Sequence, residues 1–499
     1  MAKIRGGLDG YLEPQTSPHE IKLGVEDKFN TLLLVDKRVG QLSTPKNAFD
    51  RGARRTDNSR FWTTVQLLNF TFGSSILNTG QVFSKSGIIA ATLLYIVAGT
   101  TIYLSEVILV LAAEVLASAD AADAQQAAES RSSAKEPGAS IDELEYTIVA
   151  RRLLGWRGAK AVDAFIFLQN YGACLSYLIL IGSLTTSVLS EWTETETSSA
   201  FARLWYSFYF VMPVMVVLFV LPTCLIRHFS NLRWLAVSSL SAVSAVALLV
   251  IVGSPIYAAE QKSSSDADPG LSEQVRWWNW TGTVTKAGSV LLAANCTPAV
   301  FHSYSSMATR TGREWMHVVR VSMTAGIVTY YVIGITAYLS FRAATEGDIL
   351  DNFGGTLASC FKVLMVIHLV MYIPSEFVIL RHSVFALAND DVMQASFWAV
   401  LGATLIILAS LMGIVIGLVL GGVAEGDLFG YVVDLTGGFS SSMVGMVLPG
   451  LIYLEATRGI RNSSSVAWYR RGCYVLIALG VVTLFAVPTG VVLSVLGYD

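Results

Sequence analysis

The sequence predicts an all-α integral membrane protein of about eleven transmembrane helices. Three observations predict it: a composition too apolar for water, repeated runs of bilayer length nearly free of charge, and basic residues concentrated in alternate loops. Of 499 residues, 53% are hydrophobic and 14% charged, with a mean hydropathy of +0.55; soluble domains carry about 25% charged residues. A bilayer core roughly 30 Å thick needs about 20 mostly apolar residues per helix. The stretches 61–84, 164–190, 204–226, 234–259, 287–309, 321–341, 392–424 and 472–498 meet that length without an Asp, Glu, Lys or Arg. Three more tolerate internal charge: 87–116 with Glu106, 357–380 with Lys362 and Glu376, and 428–454 with Asp434.

Ahead of the first span, residues 1–60 mix Lys, Arg, Asp, Glu, Gly and Pro. They have no apolar core of the kind a cleaved signal peptide needs and read as a disordered cytoplasmic tail before a transmembrane domain at 61–499. An Ala- and Ser-rich stretch at 117–143 reads as a flexible cytoplasmic loop, followed by a short amphipathic piece. With the N-terminus inside, 27 of the 34 Lys and Arg residues fall on the cytoplasmic side, as expected for a membrane protein. That orientation leaves the C-terminus outside or lumenal, in a plasma or a vacuolar or lysosomal membrane. The sequon at Asn279 lies in an outer loop, open to glycosylation in a secretory-pathway protein.

The five cysteines all fall within spans and lack metal-ligand spacing, so neither a disulfide framework nor a metal site is implied. A net charge of −3 gives no reason to expect nucleic acid.

A spanning backbone must satisfy its polar groups internally, so interrupted spans carry information. In the first span, Gly73 frees the backbone beside Thr71, Ser74 and Ser75. Five spans later, Asn295-Cys296-Thr297-Pro298 breaks the sixth, because proline lacks an N–H. Taken singly, these residues also fit small-residue helix packing and an ordinary kink. Their matched placement instead suggests two inverted repeats with solute held between two discontinuous helices, as in secondary transporters. An amino acid zwitterion suits such a site, its carboxylate drawn to N–H groups and its ammonium to carbonyls.

At these residues the chain resembles the amino acid/auxin permease family, above all its sodium-coupled neutral amino acid branch. Asn69 through Leu77 is similar to the family's opening Asn-x-x-x-Gly-Ser-Gly-Ile-Leu, with Ser75 in place of the second glycine. The third span, from Gln169-Asn170 to Ser176-Tyr177-Leu178, is similar to the branch's Gln-Asn-x-Gly-Ala-x-x-Ser-Tyr-Leu. Cys296-x-Pro298, Pro374 through Arg381, and Leu448 through Leu454 match further segments in order. The resemblance implies a five-plus-five inverted repeat with discontinuous first and sixth helices. It places Asn69, Gly73, Ser74 and Ser75 at the site from the first span, Asn295, Cys296 and Thr297 from the sixth, with Asn170 and Tyr171 added from the third. It also marks two departures. In the eighth span, Val370-Met371-Tyr372-Ile373-Pro374 lacks the threonine that sodium-coupled members use. Thr297 and Ala299 stand where the branch carries His and Glu. Tyr372 therefore joins the candidate set, and coupling to protons, or to no ion, is favoured over sodium.

Ionisable groups inside spans are functional candidates by default. Glu106 reads equally as a proton carrier or as interhelical glue, and His368 as a packing histidine or a proton-linked one. Glu376 is expected to pair with Arg381, and Asp434 to be solvated near the outer surface. The residues thus imply a secondary transporter of amino acids, neutral ones by resemblance, working by alternating access without a cofactor. A receptor of the same fold, sensing an amino acid and signalling through its tail, is the alternative. No clustered nucleophile and base, metal-ligand or phosphate-cradling motif suggests an enzyme. The amino acid and the bilayer are the implied partners; the sequence points to no protein partner.

Overall fold

The computed structural model describes residues 59–130, 145–192, 205–225, 233–263, 268–388, 395–422, 425–460 and 463–496. The predicted tail at 1–58 and the predicted loop over 131–143 lie outside them. Among the described residues the regular structure is helical: α1 (Arg60–Thr71), α2 (Ser75–Ser86), α3 (Ile88–Ser130), α4 (Tyr146–Trp192), α5 (Phe208–Cys224), α6 (Arg233–Ser263), α7 (Trp280–Ala294), α8 (Val300–Ser305), α9 (Gly312–Phe341), α10 (Gly355–Leu387), α11 (Phe397–Leu420), α12 (Leu428–Ala456) and α13 (Ser464–Val495). Eight of these are long and apolar enough to cross a membrane, and α5 is a shorter apolar helix. The pairs α1/α2 and α7/α8 stand where the sequence places the first and sixth spans. Counting each pair once gives the eleven spans expected.

Exposed tryptophans mark the two ends of the bundle. Trp62, Trp156, Trp398 and Trp468 lie at the near end, where the described chain begins; Trp192, Trp205, Trp277, Trp278 and Trp280 lie at the far end. Such paired belts are what indole rings form at the two interfaces of a bilayer. Helices α11 and α13 show largely unburied apolar faces, with Ile406, Val482 and Phe485 exposed, which suits a lipid surround.

The stretch expected to be a loop from residue 117 is helical to Ser130, as the last turns of α3. Its alanines are the strongest helix formers, so the span continues beyond its apolar segment. Helix α4 begins with the amphipathic piece and bends at Gly155, whose φ of 73° only glycine adopts at low cost.

The first break is local to three residues. Phe72 leaves helical geometry with ψ 68°, and Gly73 N donates back to the Thr71 carbonyl at 3.0 Å. The amides of Ser74 and Ser75, which open α2, have no backbone acceptor among the described residues. In the sixth span the break comes before the proline. Asn295 (φ −89°, ψ 98°) ends α7, Cys296 is non-helical, and Pro298 sits in a tight turn at Thr297–Ala299 that starts α8. Proline suits a first turn because its N–H would be unpaired there. Helix α10 carries Pro374 without interruption. Helix α12 widens into π-type turns at Gly437–Ser441 and Met443–Val447, a distortion common near functional sites.

Candidate functional site

The two breaks meet. Thr71 Oγ1 lies 3.7 Å from Cys296 Sγ, within reach of a hydrogen bond to sulfur. Around this junction the helices converge, each contributing a polar side chain tied to exposed backbone. Tyr330 of α9 donates to the Thr71 carbonyl. Tyr372 of α10 lies 2.9 Å from the Phe70 carbonyl and 2.9 Å from Glu376 Oε1. The break denies both carbonyls the i+4 amide that a continuous helix would supply. From α4, Ser176 shares a 3.0 Å hydrogen bond with Ser74. The Tyr177 ring meets Tyr372 edge to face, with centroids 5.4 Å apart.

Gly73 is needed for space as much as for conformation. A Cβ there would sit 3.0 Å from Tyr177 Oη and 3.6 Å from Tyr372 Oη. Asn295 is held from α4 by Gln169: its amide donates to Gln169 Oε1 at 3.0 Å, and its own Oδ1 accepts from Thr297 N at 3.1 Å. Gly445 of α12 lets the Asn295 side chain in, since a Cβ there would lie 2.9 Å from it.

Gly73 lies against Tyr372, Ser74 meets Ser176 and Cys296 meets Thr71, with Ser75 buried in the first turn of α2. Asn69 and Thr297 are buried beside the breaks, with Asn69 Oδ1 and Thr297 Oγ1 lacking a hydrogen-bond partner among the described residues. Asn170 donates to its own helix, at the Ile166 carbonyl. Tyr171 turns outward to Ser410 of α11. The third-span contacts to the breaks come from their neighbours Gln169, Ser176 and Tyr177. Asn279 caps α7, its Oδ1 accepting from Thr281 N at 3.1 Å.

Of the ionisable groups, Glu106 of α3 is fully buried against the thiol and backbone of Cys296. Neither of its oxygens closes a hydrogen bond of normal geometry among the described residues. His368 stacks on Tyr372 with centroids 5.6 Å apart, and its Nδ1 lies 2.9 Å from both the hydroxyl and the carbonyl of Ser239 in α6. The other edge of its ring faces the Phe72 backbone in the break.

Two expectations are overturned. Glu376 accepts from Tyr372, and Arg381 Nη1 donates to the Cys224 carbonyl at 2.7 Å; the end of α5 leaves that carbonyl without an amide, and the guanidinium turns to it and to Thr404 of α11. Asp434 is 2% exposed. It binds Lys286 Nζ at 2.7 Å and accepts from Ser289, while Lys286 also reaches Gln81 at 2.7 Å. This cluster ties the far halves of both broken spans, α2 and α7, to α12, beside a cavity of about 430 Å³.

Toward the near end, Tyr304 of α8 donates to Glu114 at 2.8 Å, and Arg60 pairs with Glu314 of α9. Both inner half-helices are thus latched to the surrounding scaffold. Glu114 had no special mark in the sequence.

The model for transmembrane amino acid transporter proteins matches residues 57–493, all of the bundle. The chain belongs to that family. Among its relatives is sodium-coupled neutral amino acid transporter 7 of Danio rerio, 23% identical over 45% of this chain and 48% of that protein. The corresponding protein of Xenopus laevis is 23% identical over 46% and 50%. The putative sodium-coupled neutral amino acid transporter 11 of Bos taurus is 21% identical over 64% and 65%. The chain thus spans about half the length of the first two relatives.

Proposed function

We propose that this transmembrane amino acid transporter is a secondary transporter that carries neutral amino acids by alternating access, with the zwitterion bound between the two helix breaks. The observation that carries the reading is the junction itself. A side chain from each interrupted span meets there, Thr71 and Cys296, and the Ser74 and Ser75 amides at the start of α2 have no backbone acceptor among the described residues. Two N–H groups at a helix start suit a carboxylate. The side chains that meet there are hydroxyls, amides, aromatic rings and a thiol, with Glu106 and Glu376 as the carboxyls beside them and no Lys or Arg among those named. A net-neutral solute fits that balance better than an anion or a dication.

Coupling to protons, or to no ion, suits the site better than coupling to sodium. Val370 brings no oxygen, and the nearest hydroxyl on α10, Tyr372, is committed to Phe70 and Glu376. Glu106 and His368 are the groups placed to exchange a proton at the breaks. Loop charge supports a cytoplasmic N-terminus and a lumenal or external far face. The test is uptake of a panel of labelled amino acids into proteoliposomes, with sodium and pH gradients imposed separately. Uptake of small neutral amino acids that follows the pH gradient, or needs neither gradient, is expected. Transport of no amino acid would overturn the function, and a strict sodium requirement would overturn the coupling.

A further inference from the structure

A groove runs along the seam between α3 and α9, on the outer surface of the bundle. It has a volume of about 380 Å³ and is lined by Ile96, Gly99 and Tyr103 from α3 and by Arg320, Thr324 and Ile327 from α9. Steps of three and four residues put each set on one face of its helix. Gly99 lets the two helices close under the groove, since a Cβ there would lie 3.0 Å from Ile327. The rims are apolar, with Ile96 56% and Val328 54% exposed. In a spanning segment such side chains face lipid.

The groove has one charged end. Helix α9 starts at the near end, so Arg320 is the first of its lining residues from that side, and Tyr103 is the last of those on α3. The near belt of tryptophans fixes the depth. Tyr469, beside the belt residue Trp468, has its hydroxyl 4.0 Å from Met316 Sδ. Arg320 is one turn further along α9, about 6 Å inside that level. It is exposed and forms no ion pair among the described residues. Its hydrogen bond to His317 Nδ1, at 3.4 Å, brings no negative charge. A cation on a lipid-facing surface at this depth is costly until it meets an anion. The anion a bilayer offers there is lipid phosphate, which a guanidinium binds through paired N–H groups.

We propose that the groove between α3 and α9 is a binding site for an anionic phospholipid of the near leaflet, with its phosphate on Arg320 and one acyl chain laid along the groove toward Val328. Loop charge supports a cytoplasmic near end, and the cytoplasmic leaflet is the one that carries anionic lipid. A zwitterionic lipid matches less well, because its headgroup brings a second cation to Arg320. The site also touches the helices of the breaks. Trp315 of α9 donates to the Glu106 carbonyl of α3 at 3.0 Å, so a lipid bridging the two helices steadies the pair that holds the Glu106 carboxyl beside Cys296. The site does not depend on which solute the chain carries.

The experiment titrates the full chain, purified in detergent as a single species, with dioleoyl phosphatidylglycerol, dioleoyl phosphatidylcholine, cholesterol or glycerol 3-phosphate, and reads the melting temperature. A ligand of the folded state raises it with concentration. Phosphatidylglycerol is expected to raise it by about 2–4 °C near saturation, and the other three probes by clearly less. Arg320→Gln should need about ten times more phosphatidylglycerol for the same shift, the loss of one charge-assisted contact, and Arg320→Lys should keep part of the preference. Thr324→Phe, which keeps the charge and fills the groove, should weaken phosphatidylglycerol in the same sense. Equal shifts from the two phospholipids, or a phosphatidylglycerol titration identical in Arg320→Gln and the wild type, would overturn the site. An equal shift from glycerol 3-phosphate would overturn the lipid in favour of free phosphate. A larger shift from cholesterol, kept in Arg320→Gln and lost in Thr324→Phe, would overturn it in favour of a sterol. If Arg320→Gln does not purify as a single species, Thr324→Phe decides, and an unchanged titration there overturns the site.

Discussion

The Lys286–Asp434 pair offers the sharpest energetic test of the fold. Both residues are more than nine-tenths buried, their charged atoms are 2.7 Å apart, Gln81 takes a second Lys286 donor and Ser289 donates to the other Asp434 oxygen. Substituting Asp434→Leu alone leaves an ammonium in an apolar setting with Gln81 as its remaining partner, and removing one member of a buried pair costs about 3–5 kcal/mol. Lys286→Met strands the carboxylate for a similar cost. The double substitution removes both charges; what persists is the loss of partners by Gln81 and Ser289, about 1 kcal/mol each. The double variant should therefore be more stable than either single one, against a total stability of only about 5–15 kcal/mol for a typical protein. Thermal melting of detergent-purified protein, with size exclusion to confirm a single species, gives the order. Additive destabilisation, with the double variant melting lowest, would refute a coupled buried pair. Single variants that melt with the wild type would show that water reaches both groups.

Other substitutions separate the parts of the site. Tyr372→Phe keeps the ring and removes the one hydroxyl proton that lies between the Phe70 carbonyl and Glu376, a loss of about 1–3 kcal/mol; alanine uptake should fall about tenfold, measured as initial rate. Gly73→Ala places a methyl 3.0 Å from Tyr177 Oη and should lower uptake, with Gly73→Ala/Tyr177→Phe recovering part of it because the clashing oxygen is gone. Glu106→Gln should remove the response of uptake to an imposed pH gradient while exchange of labelled for unlabelled substrate continues, measured by counterflow. Arg60→Ala opens the exposed near-end latch to Glu314 and, as a surface ion pair worth about 0–1 kcal/mol, should shift the melting temperature little.

The span count was legible because lipid imposes a simple rule on backbone polar groups, and the rule leaves its mark in one dimension. Gly73 with flanking serines and Pro298 near Asn295 were legible for the same reason: a helix cannot be interrupted in lipid without special residues. The extent of α3 beyond residue 117 was not, since alanine-rich sequence outside the bilayer is compatible with either loop or helix and the choice belongs to propensity.

The site's tertiary partners were less visible because they depend on helix rotation. Asn170 and Gln169 are adjacent, and about 100° of rotation between consecutive residues sends Gln169 to Asn295 while Asn170 bonds its own helix. Asp434 misled for a related reason. Six residues from the start of α12, it looks solvated by depth alone, but α2 and α7 close over it, and Gly288 and Gly437 allow the backbones of α7 and α12 to touch there. Lys286 appeared equally external in the sequence. Each charge alone argues for water; only together, at the crossing of three helices, can they be buried.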